Sequence, residues 1–269
     1  GGSAQARRNA PRQGNDVRYE LRLTFEEAAK GCHKSVEFYR YENCATCGGS
    51  GAKPGTQPQT CSMCKGTGQI RQSGGWMTTV RTCPACGGSG KVIKDKCSSC
   101  GGSGRVRMRR TLELDVPAGV DDNIVLSKRG QGEPGANGGP NGDLLIQITV
   151  KPHKLFRREG TNLRLEVPIS FTQAALGAEI DVPTLDGSVK YTIPEGTQTD
   201  TEFRIRGKGI QQLGSNNKGD LIFKVRVETP RRLTEKQREL LRQFDGDDNG
   251  RQYDQRKTCI DKGKELFDK

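Results

Sequence analysis

Four near-identical eight-residue phrases crowd into one stretch of this chain and recur nowhere else: CATCGGSG from Cys44, CSMCKGTG from Cys61, CPACGGSG from Cys83 and CSSCGGSG from Cys97. Each reads CxxCxGxG. Two thiolates spaced i, i+3 converge on one cation from a tight turn, and the glycines that follow let the chain take positive φ and aim its amides at sulfur. Such N–H donors stabilise the excess negative charge of a four-thiolate centre. Four knuckles therefore predict two zinc sites of four cysteines each, with Zn–S bonds near ~2.3 Å.

Two other chemistries use paired cysteines. A disulfide framework needs an oxidising compartment, and no export signal is visible. A redox CxxC occurs once, beside a strand–helix pattern, rather than four times with GxG attached. The knuckles can pair in three ways. If the stretch grows out of a larger domain, its ends must return to one place, and nesting achieves this. Cys44, Cys47, Cys97 and Cys100 then form an outer site (zinc 1), and Cys61, Cys64, Cys83 and Cys86 an inner one (zinc 2) that closes a loop carrying Trp76. Sequential pairing stays open on chain closure alone. With cysteine in all four positions neither ion keeps a place for water, so a structural role is expected rather than hydrolysis. Eight thiolates and two Zn2+ would bring the formal charge from +12 to about +8.

A longer repeat surrounds the knuckles. TFEEAAKG at 24–31 returns as SFTQAALG at 170–177, an offset of 146. Both carry a capping box, Thr24 with Glu27 and Ser170 with Gln173, and both end on a glycine. Alternating strands precede them: VRYELRL puts Val17, Tyr19, Leu21 and Leu23 on one face, and NLRLEVPI does the same with Leu163, Leu165 and Val167. Downstream, VPAGVDDNIVLSKRGQG matches IPEGTQTDTEFRIRGKG and NGDLLIQITV matches KGDLIFKVRV, both offset by 77. The first copy is longer by about the knuckle stretch and its flanks.

The expected fold is mainly β: two tandem homologous β-sandwich-like domains, the first carrying an inserted zinc module, with a short C-terminal helix. An apolar fraction of 31% and an aromatic fraction of 5% suit several small modules better than one large core. The expected divisions are a disordered glycine-rich linker at 1–16 and β-domain I at 17–43 and 105–153. The cysteine-rich insert takes 44–104, β-domain II 154–230, and a helix and tail 231–269. In the last of these, Thr234 and Gln237 form another capping box, while Leu240, Leu241 and Phe244 share a helical face. So few apolar residues cannot stand alone, so that face docks on its own domain or on a second copy of the chain.

Other motifs carry less. GQGEPG at 130–135 has the spacing of a dinucleotide loop, but Pro134 and the following ANGGPNG forbid the helix that should receive a pyrophosphate, so it reads as a turn. DGDDNG at 245–250 begins like a calcium loop, yet Arg256 stands where the bidentate glutamate belongs. His33 and His153 have no triad pattern around them, and Cys32 and Cys259 read as free thiols.

With four CxxCxGxG repeats set into the first of two related β-domains, residues 17–244 resemble the C-terminal portion of a bacterial type I J-domain protein, the DnaJ family of co-chaperones. The resemblance implies two zincs in the nested arrangement and β-domains that hold unfolded polypeptide. It further implies a C-terminal segment, with Leu240, Leu241 and Phe244, that joins two protomers. It places a client groove at Val17, Val36, Phe38, Leu112 and Ile146, where a peptide lies beside a strand and plants a large side chain. The His-Pro-Asp signature of the family's J domain is absent, since His33 and His153 are each followed by lysine. The resemblance thus implies client binding without stimulation of a DnaK-type partner's ATPase, the J domain having been removed.

No catalytic constellation is present, so a non-enzymatic chaperone is the leading expectation, cytoplasmic and homodimeric, with clients and a DnaK-type chaperone as partners. No run of 18 apolar residues argues for a membrane span. A nucleic-acid-binding zinc protein is the first alternative; it is disfavoured because Trp76 is the only aromatic between Cys44 and Gly104 on which a base could stack. Thiol–disulfide exchange at the CxxC pairs is the second, and would require metal release first.

Overall fold

Alternation of apolar and polar residues is what builds the first β layer. The computed structural model describes residues 10–74 and 77–246, with Gln252, Tyr253, Thr258 and Gly263. Trp76 and Cys259 lie outside the described residues, as does the acidic turn beyond Gly246. In chain order the elements are β1 (Val17–Leu23), α1 (Phe25–Lys30) and β2 (Cys32–Asn43), then four short strands of the cysteine stretch: β3 (Gln59–Thr60), β4 (Gln69–Gly74), β5 (Met77–Thr82) and β6 (Lys91–Val92). There follow β7 (Arg105–Val116), β8 (Val125–Lys128), β9 (Leu144–Val150), β10 (Arg157–Glu159), β11 (Asn162–Ser170) and α2 (Phe171–Leu176). The last are β12 (Ala178–Thr184), β13 (Gly187–Ile193), β14 (Glu202–Ile205), β15 (Leu221–Glu228) and α3 (Glu235–Gly246). The chain divides into two units, one running through Leu163 and including Arg206–Asp220, the other Arg164–Ile205 with the residues from Leu221 onward.

In the first unit β1 lies parallel to β9, Val17 opposite Leu144 and Leu23 opposite Val150, and β8 pairs antiparallel with the other edge of β9. A separate ribbon is made by β2 and β7, antiparallel from Cys32 opposite Val116 to Asn43 opposite Arg105. One hydrophobic cluster joins the two sheets: Leu21 and Leu23 of β1, Leu144, Ile146 and Ile148 of β9, Val36 and Phe38 of β2, Leu114 and Val116 of β7. Each such side chain contributes roughly 1.5–3 kcal/mol by leaving water. The intervening Arg18, Glu20 and Arg22 face solvent, as period two requires.

Helix α1 is pinned at both ends. Thr24 Oγ1 accepts from the Glu27 amide at 3.2 Å while Glu27 Oε2 accepts from the Thr24 amide at 3.0 Å. It stops at Gly31, where φ is +77° and a Cβ would meet the Val116 carbonyl at 2.9 Å. Helix α2 repeats the device with Ser170 and Gln173, and α3 with Thr234 and Gln237.

The second unit repeats the plan without an insert. Strands β11, β15 and β14 are neighbours in that order, and β12 pairs antiparallel with β13 through a turn closed at Thr184 and Gly187. Tyr191, Phe203 and Phe223 pack together with centroids 5.0–5.4 Å apart, and Leu165, Val182 and Val225 are buried in the same unit.

Ahead of β1 the chain from Arg12 to Asp16 is extended and bonded to the 130–143 loop. Arg12 donates to the Ala136 carbonyl at 3.0 Å, Gly14 to Pro140 at 2.9 Å, and Val17 to Asp143 at 2.8 Å.

Candidate metal centre

The β2–β7 ribbon delivers both ends of the cysteine stretch to one place. Immediately beyond the Asn43–Arg105 pair, the Cys44 amide donates to the Gly104 carbonyl at 2.9 Å, and Cys97 does the same to Gly51 at 2.9 Å. The inner knuckles repeat this cross-bonding, Cys61 to Gly90 at 2.9 Å and Cys83 to Gly68 at 3.0 Å. Each knuckle's last glycine thus binds the first cysteine of its partner. Only glycine fits there: a Cβ at Gly104 would meet the Gly49 carbonyl at 2.3 Å, and one at Gly90 the Gly66 carbonyl at 2.4 Å.

Two sulfur tetrads result, Cys44, Cys47, Cys97 and Cys100 in one and Cys61, Cys64, Cys83 and Cys86 in the other, each with its four Sγ atoms within 4.8 Å of one another. Sulfur pairs across the knuckles stand at 3.9 and 3.8 Å in the outer tetrad and 3.9 and 3.7 Å in the inner one. A tetrahedron with metal–sulfur bonds of ~2.3 Å has edges of about 3.8 Å. The sites fit a four-coordinate cation that favours sulfur.

The amides fit it too. Gly51, Gly68, Gly90 and Gly104 donate to the Sγ of Cys47, Cys64, Cys86 and Cys100 at 3.2–3.3 Å. Burial opposes ionisation of Cys47 and Cys64, yet the amides donating to them outweigh it and bring each thiol down to about 6. Burial prevails at Cys83, pushed up to about 11, and it raises Cys97 as well. In each tetrad, then, donated amides favour the thiolate at one sulfur while burial disfavours it at another. Ile70 and Val92 pack on the inner sulfurs.

The ribbon root carries a cluster that sequence reasoning did not single out. Glu42 accepts two bonds from Arg110, both 2.6 Å, and one from Arg40 at 2.8 Å. Arg110 is the larger influence in holding that carboxyl at about 2. Arg40 lies two residues before Glu42 on the same strand, while Arg110 reaches it diagonally from the partner strand, where it stands opposite Phe38.

The five residues of the expected client groove fall in one place. Val36, Phe38 and Ile146 are buried in the first unit's core, with Val17 and Leu112 half-buried at its margin. Leu240 and Leu241 line a groove of about 540 Å³ with Pro168, Phe171, Pro230 and Leu233, and Phe244 meets the Phe171 ring edge-on at 6.4 Å. All three residues of that helix face keep substantial exposure, from 37 to 55%. His153 has a local role: its Nδ1 accepts from the Leu155 and Phe156 amides at 3.0 Å, and its ring stacks on Phe156. His33 bonds to Asp115 on the exposed side of the ribbon, and Cys32 is half-buried, burial pushing its thiol up.

Two four-cysteine sites able to hold a cation, on a finger spliced into one of two related β units, define a class of duplicated β proteins with a cysteine-rich insert. Residues 17–230 match the family model described as DnaJ C terminal domain, and the chain belongs to that family. It is 51% identical over 274 residues to a protein named Chaperone protein DnaJ from Ruminiclostridium cellulolyticum, covering 99% of this chain and 71% of the relative. Proteins of the same name from Acetivibrio thermocellus and Geobacillus kaustophilus are 50% and 53% identical, covering 97% and 91% of this chain and 68% and 65% of theirs.

Proposed function

We propose that this chain is the client-holding portion of a chaperone: it binds non-native polypeptide, limits its aggregation and, as part of a longer protein, passes clients to a DnaK-type partner. What carries the reading is the pairing of two all-cysteine tetrads with the family match and with relatives named as chaperones. The metal is zinc, two ions per chain, held by the eight knuckle cysteines. Fully occupied by thiolates, it supplies cross-linking and no Lewis-acid chemistry. The chain acts by binding alone and is not an enzyme.

Client peptide is proposed to lie beside the margin formed by Val17 and Leu112, over the buried Val36, Phe38 and Ile146. β1 supports this as an edge strand of its sheet, with one row of backbone groups unpaired by β9. Leu240, Leu241 and Phe244 are proposed to meet a second copy of the chain, their exposure and the adjoining apolar groove being the support. No helix among the described residues is long and apolar enough to cross a membrane. The test is suppression of aggregation of a chemically denatured client at stoichiometric chain. Suppression that persists in moderate salt supports the proposal. Failure to suppress, or a preference for oligonucleotides that collapses steeply with salt, overturns it.

A further inference from the structure

The glycine-rich loop that mimics a dinucleotide motif exists twice, and the copies bond alike. Gly132 donates to the Gly142 carbonyl at 2.8 Å, as Gly209 does to Gly219 at 2.9 Å. Glu133 donates to Asn15 at 2.9 Å, as Ile210 does to Thr161 at 2.8 Å. The Asp143 amide bonds to Asp16 Oδ1 at 2.7 Å, as that of Asp220 does to Asn162 Oδ1 at 2.8 Å. In each copy the loop grips two residues at the start of a strand, β1 in the first and β11 in the second.

Beyond that grip the copies differ. The 209–219 loop zips onto itself, Gln211 bridging Lys218 and Gln212 donating to the Asn217 carbonyl at 2.8 Å. At the equivalent positions of the first loop stand Pro134 with Asn141 and Gly135 with Pro140. The rung that Gln212 makes to Asn217 has no counterpart between Gly135 and Pro140, so the Pro140 carbonyl needs another partner. The chain's own upstream segment supplies it. Arg12 and Ala136 exchange both backbone bonds at 3.0 and 2.9 Å, and Gly14 donates to the Pro140 carbonyl. The approach is close enough to require glycine on both sides: a Cβ on Gly139 would lie 2.1 Å from the Arg12 carbonyl, and one on Gly14 1.9 Å from that of Glu133.

We infer that the 130–143 loop is a strand-accepting slot whose occupant is residues 12–16 of this chain, and that it sets where the upstream polypeptide leaves the first unit. The slot is fastened to the finger root, since Arg40 Nη1 donates to the Gln131 and Gly132 carbonyls at 2.9 and 3.2 Å, and Arg105, the residue after the last knuckle, donates to Pro134 at 3.4 Å. Occupied, it anchors the incoming chain beside the outer tetrad. Emptied, it frees residues that, extended, lengthen the tether by up to roughly 17 Å. The inference stands apart from the client-binding proposal and survives its failure.

Hydrogen exchange and limited trypsin digestion of the whole chain test it. In the native protein the Arg12 and Gly14 amides exchange slowly and the bond after Arg12 resists cleavage. Gly139→Val and Gly14→Val both accelerate exchange and cleavage there by about tenfold or more, with Ile146 and Ile148 amides and metal content unchanged. If Gly139→Val also loosens Ile146 and Ile148, Gly14→Val decides, because it alters the strap and not the loop. Cleavage after Arg12 that is as fast in the native chain as in the variants, or a strap still protected in Gly14→Val, overturns the inference.

Discussion

Replacing Glu42 by glutamine keeps the shape of the ribbon root and removes one charge. The carboxylate is bound by Arg110 through two bonds and by Arg40 through a third, and its side chain is only 17% exposed. Its proton affinity falls from an ordinary value of 4.5 to about 2. At about 1.4 kcal/mol per tenfold change in proton affinity, that is a ceiling of roughly 3 kcal/mol. Arg110 is half exposed, so solvent screening reduces the expected loss at neutral pH to about 2 kcal/mol. A carboxyl with a depressed value stabilises the fold fully above its unfolded value and ceases to do so as acid titrates the folded one. The gap between native and Glu42→Gln stability should therefore be constant above about pH 5 and close between about 4.5 and 2. Urea unfolding followed by far-ultraviolet circular dichroism across that range measures it. Native chain and variant are compared at each pH, so that the difference between them is the readout. A neutral-pH loss below about 0.5 kcal/mol, or a gap that does not narrow in acid, refutes the reasoning.

Three further outcomes follow. Cys97→Ser should leave one metal per chain and Cys83→Ser likewise, read by native mass spectrometry, because the tetrads share no ligand. Val17→Asp or Leu112→Asp should weaken client capture several-fold at unchanged metal content, whereas Phe38→Asp, being buried, should unfold the first unit; capture unaffected by either rim change refutes the groove. Thr24→Ala should cost about 1 kcal/mol through loss of the N-cap, measured by urea unfolding.

Covalent and short-range rules made much of this molecule legible. Cysteine spacing marked both tetrads, because a metal site is a local arrangement repeated, and the capping boxes at Thr24, Ser170 and Thr234 marked three helix starts because their hydrogen bonds span three residues. Period two marked the faces of β1 and β11. Register stayed hidden, and with it the Glu42 cluster, since nothing in a strand's own sequence says which residues stand across from it. The slot around residues 12–16 was hidden for a different reason. Its grip is largely backbone to backbone, so the segment's polar composition reads as unstructured while the Arg12 and Gly14 amides are partnered.

The insertion itself makes a final prediction. Ribbon pairing holds in register as far as Asn43 and Arg105, and the outer tetrad continues it from the next residue on each strand. Without metal, the stretch from Cys44 to Gly104 becomes a long flexible loop, and closing such a loop costs roughly 4 kcal/mol, borne by the ribbon alone. With metal, the outer tetrad closes it at the root and the inner tetrad subdivides it. Chelation should therefore fray the ribbon from its finger end. Exchange at Tyr41, Asn43 and Arg107 should accelerate by about tenfold or more, while Ile146 and Ile148 in β9 keep their protection. An equal rise at both places would mean that the metals support the whole first unit. No rise at Asn43 would mean that the ribbon closes without them, and either result removes the tetrads from their place as the clamp at the ribbon's end.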